Sequence, residues 1–140
     1  MNYWLAKSDP DTYGWSELVR DGKTSWDGVR NYKARNYLRA MKPGDQVLFY
    51  HSGKEKSVVG AMTILSEAYT DRTAKEEIWS AIDVAAAWML KNPVPLSRIK
   101  DEPSLRNIHL VRVARLSVMP LEKEQFRTIV SMGGGSKKLI

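Results

Sequence analysis

Apolar and polar residues alternate in short blocks, and the blocks name their elements. "YWLAKS", Tyr3 to Ser8, is aromatic-rich and halted by "DPD", which predicts a strand ending in a turn. "WSELVRDG" predicts a short helix with Ser16 as its N-cap and Gly22 just past its end. From Tyr32 to Met41 the positions Ala34, Tyr37, Leu38 and Met41 fall on one face at about 100° per residue, the period of a helix. On the same wheel Arg35, Arg39 and Lys42 lie within about 60° of one another and flank that stripe.

After the turn "KPGD", the runs "QVLFYHS" and "SVVGAMTILSEAY" enclose a "GKEK" loop and predict a hairpin. "IWSAIDVAAAWML" is assigned to strand, although its alanines also suit a helix. "PLSRIKDEP" and "SLRNIHLV" predict short helical pieces, "RLSVMPL" a closing strand, and "EKEQFRTIVSM" a terminal helix stopped by "GGG". Residues 133–140 are expected to form a flexible tail. Five or six short strands without regular strand–helix alternation exclude a doubly wound sheet. They predict a small curved sheet or barrel with helices packed on it.

The chain has 140 residues, 43% of them hydrophobic, which suits one domain with a real core. It shows no signal segment and no apolar run near the roughly 18 residues of a membrane span, so a cytoplasmic protein is expected. No cysteine is present, and the two histidines, His51 and His109, have no ligand spacing; no metal or cofactor is expected. The net charge of +6 favours an anionic partner. Six basic residues stand against the single acid Asp27 between Lys23 and Lys42, a run that an ordinary solvated face would also explain.

"KSDP" at 7–10, "WDGVRNYKARN" at 26–36, "LRAMKPGD" at 38–45, "LFYHS" at 48–52, "AIDV" at 81–84 and "RLSVMP" at 115–120 together resemble the EVE domain family, in family order and over nearly the whole chain. Asp9 replaces a commoner Glu, and Lys33 a more usual Gln. The resemblance implies an α+β fold of the PUA-like class, a distorted β-barrel with short peripheral helices related to the YTH and ASCH domains, here spanning 1–132. It also implies non-enzymatic binding of DNA or RNA, with a flipped, modified base of the methylated or hydroxymethylated cytosine type in an aromatic pocket. A monomer is favoured.

The residue chemistry suits such a role. A flat indole or phenol restores the stacking an extruded base loses, at about 1–3 kcal/mol per base, and Trp26, Tyr32 and Tyr50 are the candidates. Ser8, Asn31, His51 and Ser52 offer uncharged donors and acceptors to a base edge. Lys7, Arg30, Lys33, Arg35 and Arg39 are assigned to phosphates, whose contacts hold a strand without reading its sequence. Trp4, Trp15, Trp79 and Trp88 are assigned to packing. The roles of Arg115 and His109 stay open. An enzyme acting on RNA or a modified nucleotide through Ser8, His51 and Ser52 is the alternative, and a module for an acidic protein is a third.

Overall fold

The computed structural model describes residues 1–139. Strand β1 (Tyr3–Ser8) lies between β3 (Gln46–His51), to which it is parallel, and the antiparallel β7 (Val118–Leu121). Trp4, Leu5 and Ala6 are all buried, as in a strand covered on both faces. A parallel neighbour demands a crossover. Here it runs through α1 (Pro10–Tyr13), α2 (Trp15–Asp21), β2 (Lys23–Trp26) and α3 (Tyr32–Ala40). The expected hairpin is β3 with β4 (Ser57–Ile64), and β4 then pairs with β6 (Ser80–Pro95). The path is β2-β6-β4-β3-β1-β7, with β5 (Tyr69–Thr70) and β8 (Ser136–Lys137) added on β6. Among the described residues its two ends do not pair with each other, so the curved sheet is an open barrel of the expected α+β class. The helices α4 (Leu96–Asp101), α5 (His109–Arg112) and α6 (Lys123–Met132) are peripheral, with a 3₁₀ turn at Pro103–Leu105.

The buried carboxylate of Asp45 fixes the start of this sheet. It accepts from the Trp4 indole at 3.1 Å, from the Asn2 amide and from the Lys42 amide, so the 42–45 turn is tied to β1 and the charge is satisfied by three donors. At the other end, a Cβ on Gly60 would lie 2.5 Å from the Trp15 ring. The β3–β4 and β4–β6 registers both shift beside this glycine, which lets the indole sit against bare backbone.

Several boundaries differ from the sequence expectation. Helix α2 starts at Trp15, with Gly14 as N-cap and the Glu17 carboxylate accepting from the Gly14 amide, so Ser16 is not the cap. The cause is tertiary: the Trp15 amide donates to His51 Nε2 at 3.0 Å and its ring packs on Phe49. The "DPD" turn closes into one helical turn capped by Asp9, and Lys23–Trp26 forms a strand. β6 runs on through Pro95, beyond the expected end at Leu90. Within the tail, Ser136 pairs with Leu90 and Lys137 with Met89. Ile140 lies outside the described residues.

Candidate functional site

The predicted pocket residues separate into two groups. Trp26 ends β2 and is 8% exposed, its ring edge-on to Phe49 at 5.6 Å. It packs in the core, and the cavities described below are lined by other side chains. Asn31 caps α3 by accepting from the Ala34 amide at 2.9 Å, which occupies its side-chain oxygen. Tyr32 is 60% exposed but one ring face is stacked on Trp79 at 5.1 Å, and the Arg35 guanidinium lies 5.0 Å from its centroid. None of the cavities described below is lined by Trp26, Tyr32 and Tyr50 together.

The loop between Trp26 and Asn31 is held by Asp71, which is 1% exposed. One carboxylate oxygen accepts from the Gly28 amide at 2.8 Å and from Arg30 Nη1 at 2.9 Å. The other accepts from the Thr73 amide and hydroxyl. Burial works to raise the Asp71 pKa, but the bonds from Thr73, Arg30 and Gly28 outweigh it and hold the carboxyl well below its usual range. Asp27, beside it, is pushed upward by burial and by the Asp71 charge. Ser25, Asp27, Tyr69, Asp71, Arg72, Thr73 and Asp83 line a cavity of roughly 670 Å³ on this side, where three carboxylates face one guanidinium, an unfavourable balance for a phosphate.

The arginines assigned to phosphate have structural partners. Arg30 is paired with Asp71, Arg39 donates to the Ser80 hydroxyl and the Ile78 carbonyl at 2.9 Å each, and Arg35 donates to the same carbonyl and to Asn36. They clip α3 to the segment entering β6. Lys33 stays exposed, and its charge, after burial, depresses the His109 pKa.

His51 points to the Phe49 face of β3. Its Nε2 accepts from the Trp15 amide, so the ring proton sits on Nδ1 and is donated to Glu55 at 2.9 Å. Both nitrogens are engaged. The Ser8 hydroxyl donates to the Tyr13 carbonyl and closes the turn after β1.

Tyr50, Ser52 and Lys7 do come together. They line a cavity of roughly 300 Å³ between the ends of β1 and β3 and the helices α4 and α5, with Leu96, Leu110 and Val111 as its apolar wall. Lys7 Nζ donates to the Ala114 carbonyl at 2.9 Å, and burial lowers its pKa. Tyr50 is 3% exposed, burial raises its pKa, its hydroxyl has no hydrogen-bond partner among the described residues, and Lys7 Nζ lies over its ring, 5.8 Å from the centroid. Lys56 and Lys100 complete the rim, and Lys54 joins them in the adjoining cleft. None of these three amines is hydrogen-bonded or ion-paired among the described residues. Lys56 holds a φ of +48°, a left-handed conformation that a lysine adopts at a cost of order 1 kcal/mol. Its carbonyl accepts from the Leu96 amide at 2.8 Å, and that bond fixes it there. No local signal in the sequence marks this lysine rim, because 54–56 and 100 meet only in the fold.

The model of the EVE domain family matches residues 2–132. Human thymocyte nuclear protein 1 is 36% identical over 165 aligned positions, covering 94% of this chain and 73% of the human protein. The crystal structure of a protein from Agrobacterium tumefaciens superposes with a TM-score of 0.94 at 38% identity, over 99% of this chain and 97% of that one. The human THYN1 protein, solved in complex with 5-methylcytosine-containing DNA, superposes at 0.83 with 35% identity, over 95% and 98% of the two chains. An ASCH protein from Zymomonas mobilis, 11% identical with a TM-score of 0.57, shares the PUA-like fold alone.

Proposed function

The chain belongs to the EVE domain family, and from that premise we propose that it binds DNA carrying a modified base of the methylated or hydroxymethylated cytosine type, and performs no chemistry on it. The observation that carries this is the cavity of roughly 300 Å³ rimmed by Lys7, Lys56 and Lys100. Its size stands at the lower end of small-ligand sites, about 300–1,000 Å³, which suits one base. The DNA complex of the human THYN1 protein, at 35% identity, supports the ligand class.

Extruding a base costs a few kcal/mol, and unpaired lysines around the mouth offset that cost through phosphate contacts. Selectivity needs more than fit: burying one methyl group is worth about 0.8 kcal/mol, under a decade. The Tyr50 and Ser52 hydroxyls supply the rest, because a polar edge left unpaired there costs about 1–3 kcal/mol. Leu96, Leu110 and Val111 receive the methyl group. Both His51 nitrogens are engaged and the described lining residues include no carboxylate, which supports a reading without catalysis.

The test is fluorescence anisotropy on duplexes carrying cytosine, 5-methylcytosine or 5-hydroxymethylcytosine, and on matched RNA, across a salt series. Lys56→Gln and Lys100→Gln should each weaken all ligands alike and flatten the salt slope by about 0.9. Tyr50→Phe should narrow the gap between modified and plain DNA. Equal affinity for every duplex, or an unchanged slope in both lysine variants, would defeat the proposal.

A further inference from the structure

A further cavity, of roughly 640 Å³, opens between β6, α6 and the Gly134–Ser136 segment. Trp88 and Phe126 form two of its walls with ring planes at 87° and centroids 6.2 Å apart. Such a corner receives a flat ring face-on against one wall and edge-on against the other. Phe126 is itself fixed by Tyr3, 4.6 Å away. The polar groups here are donors without strong partners. The Trp88 indole N–H has no acceptor among the described residues, and Arg127 reaches only Glu124, at 3.6 Å. The Ser131 and Ser136 hydroxyls also line the space.

The roof is glycine for a reason. Gly134 and Gly135 hold φ of +81° and +93°, where other L-residues are strained, and neither carries a side chain into the opening. A Cβ on Gly133 would meet the Asn92 carbonyl at 2.7 Å, so only glycine lets this segment lie close against β6.

A perpendicular aromatic corner, an under-used guanidinium and free hydroxyl and indole donors are complementary to a planar ring that bears an anion. We propose that this cavity seats a nucleotide, its base against Trp88 and its phosphate toward Arg127. Two sources carry that chemistry, a free mononucleotide and an unpaired end of a DNA strand. Occupancy does not require the lysine-rimmed cavity, which lies at the opposite end of β1.

Cytidine monophosphate titrated into the intact chain, with amide and indole N–H signals followed by NMR, tests the proposal. Saturable shifts at the Trp88 indole and the Gly134–Ser136 amides, with a Kd under about 1 mM, are expected. Arg127→Gln should weaken binding about tenfold, the loss of one charge-assisted bond, and Trp88→Ala should abolish it. Should Trp88→Ala fail to fold, the wild-type shift map and Arg127→Gln still decide. Displacement of the mononucleotide by single-stranded DNA would identify the strand end as the source, and persistence in its presence the free nucleotide. No saturable shift, or shifts confined to Tyr50, Ser52 and Gly53, would overturn the assignment.

Discussion

Replacing Asp71 by Asn tests what holds the loop between Trp26 and Asn31. The amide oxygen can keep the two bonds from Thr73, but its NH₂ group then faces the Gly28 amide and the Arg30 guanidinium, donor against donor. Two bonds to a charged acceptor, each worth about 1.5–3 kcal/mol, are lost together. Arg30 is 38% exposed and recovers part of its hydration, so a net cost of about 3 kcal/mol is expected. For a domain of this size that corresponds to a Tm lower by about 10 °C. The pH dependence has a fixed sign. Because the folded carboxyl is held below the unfolded value of about 3.9, its contribution is complete above that pH and is lost as pH falls towards the folded pKa. Urea titrations of both proteins should give a constant gap from about pH 8 to 5 that narrows by about pH 3. A gap below about 1 kcal/mol, or one that does not change down to about pH 3, would refute the pairing as the loop's anchor.

Gly60→Ala should cost about 2–3 kcal/mol in urea unfolding, since its Cβ would press on the Trp15 ring at 2.5 Å and the bulged strand must shift. Trp4→Phe removes the buried indole bond to Asp45 and should cost about 1.5–3 kcal/mol by the same measurement; an unchanged midpoint would mean that solvent replaces the donor. Arg39→Gln loses its bonds to Ser80 and Ile78 and should lower stability by about 1–2 kcal/mol while leaving the salt slope of DNA binding unchanged, and a flattened slope would return this arginine to the phosphates.

The elements that carry a long period were legible in the sequence. The α3 stripe of Ala34, Leu38 and Met41 is buried as its spacing requires, and the β-rich runs became β1, β3, β4 and β6. The short strands Lys23–Trp26 and Ser136–Lys137 were not, because they become strands only through the partner that β6 provides. Ser16 has the chemistry of a cap, yet the bond from the Trp15 amide to His51 and the packing of its ring on Phe49 set the helix start earlier. At the site, "KSDP" and "LFYHS" contain Lys7, Tyr50 and Ser52, which the parallel β1–β3 pairing brings side by side. Trp26 sits in the strongest motif but belongs to β2, the end strand of the sheet path next to β6, and its ring packs on Phe49.

The exchange of arginine for lysine as the candidate phosphate ligand follows from energetics. Charge is visible in a sequence, but the partners that consume it are not: Asp71, Ile78 and Ser80 lie about forty positions from the arginines they bind. To meet a phosphate, Arg39 would have to release two bonds and Arg30 a buried carboxylate, each at about 1–3 kcal/mol, so most of the gain from the new contact would be cancelled. Lys54, Lys56 and Lys100 give up only hydration and the rotamer freedom of a flexible stem, at most about 2 kcal/mol apiece. Planar guanidinium forks suit fixed acceptors such as a carboxylate or a backbone carbonyl, whereas a rotatable ammonium follows a phosphate whose position varies with the bound sequence. The fold therefore spends its α3 arginines on joining that helix to β6 and leaves its unpaired ammonium groups around the cavity between β1, β3, α4 and α5.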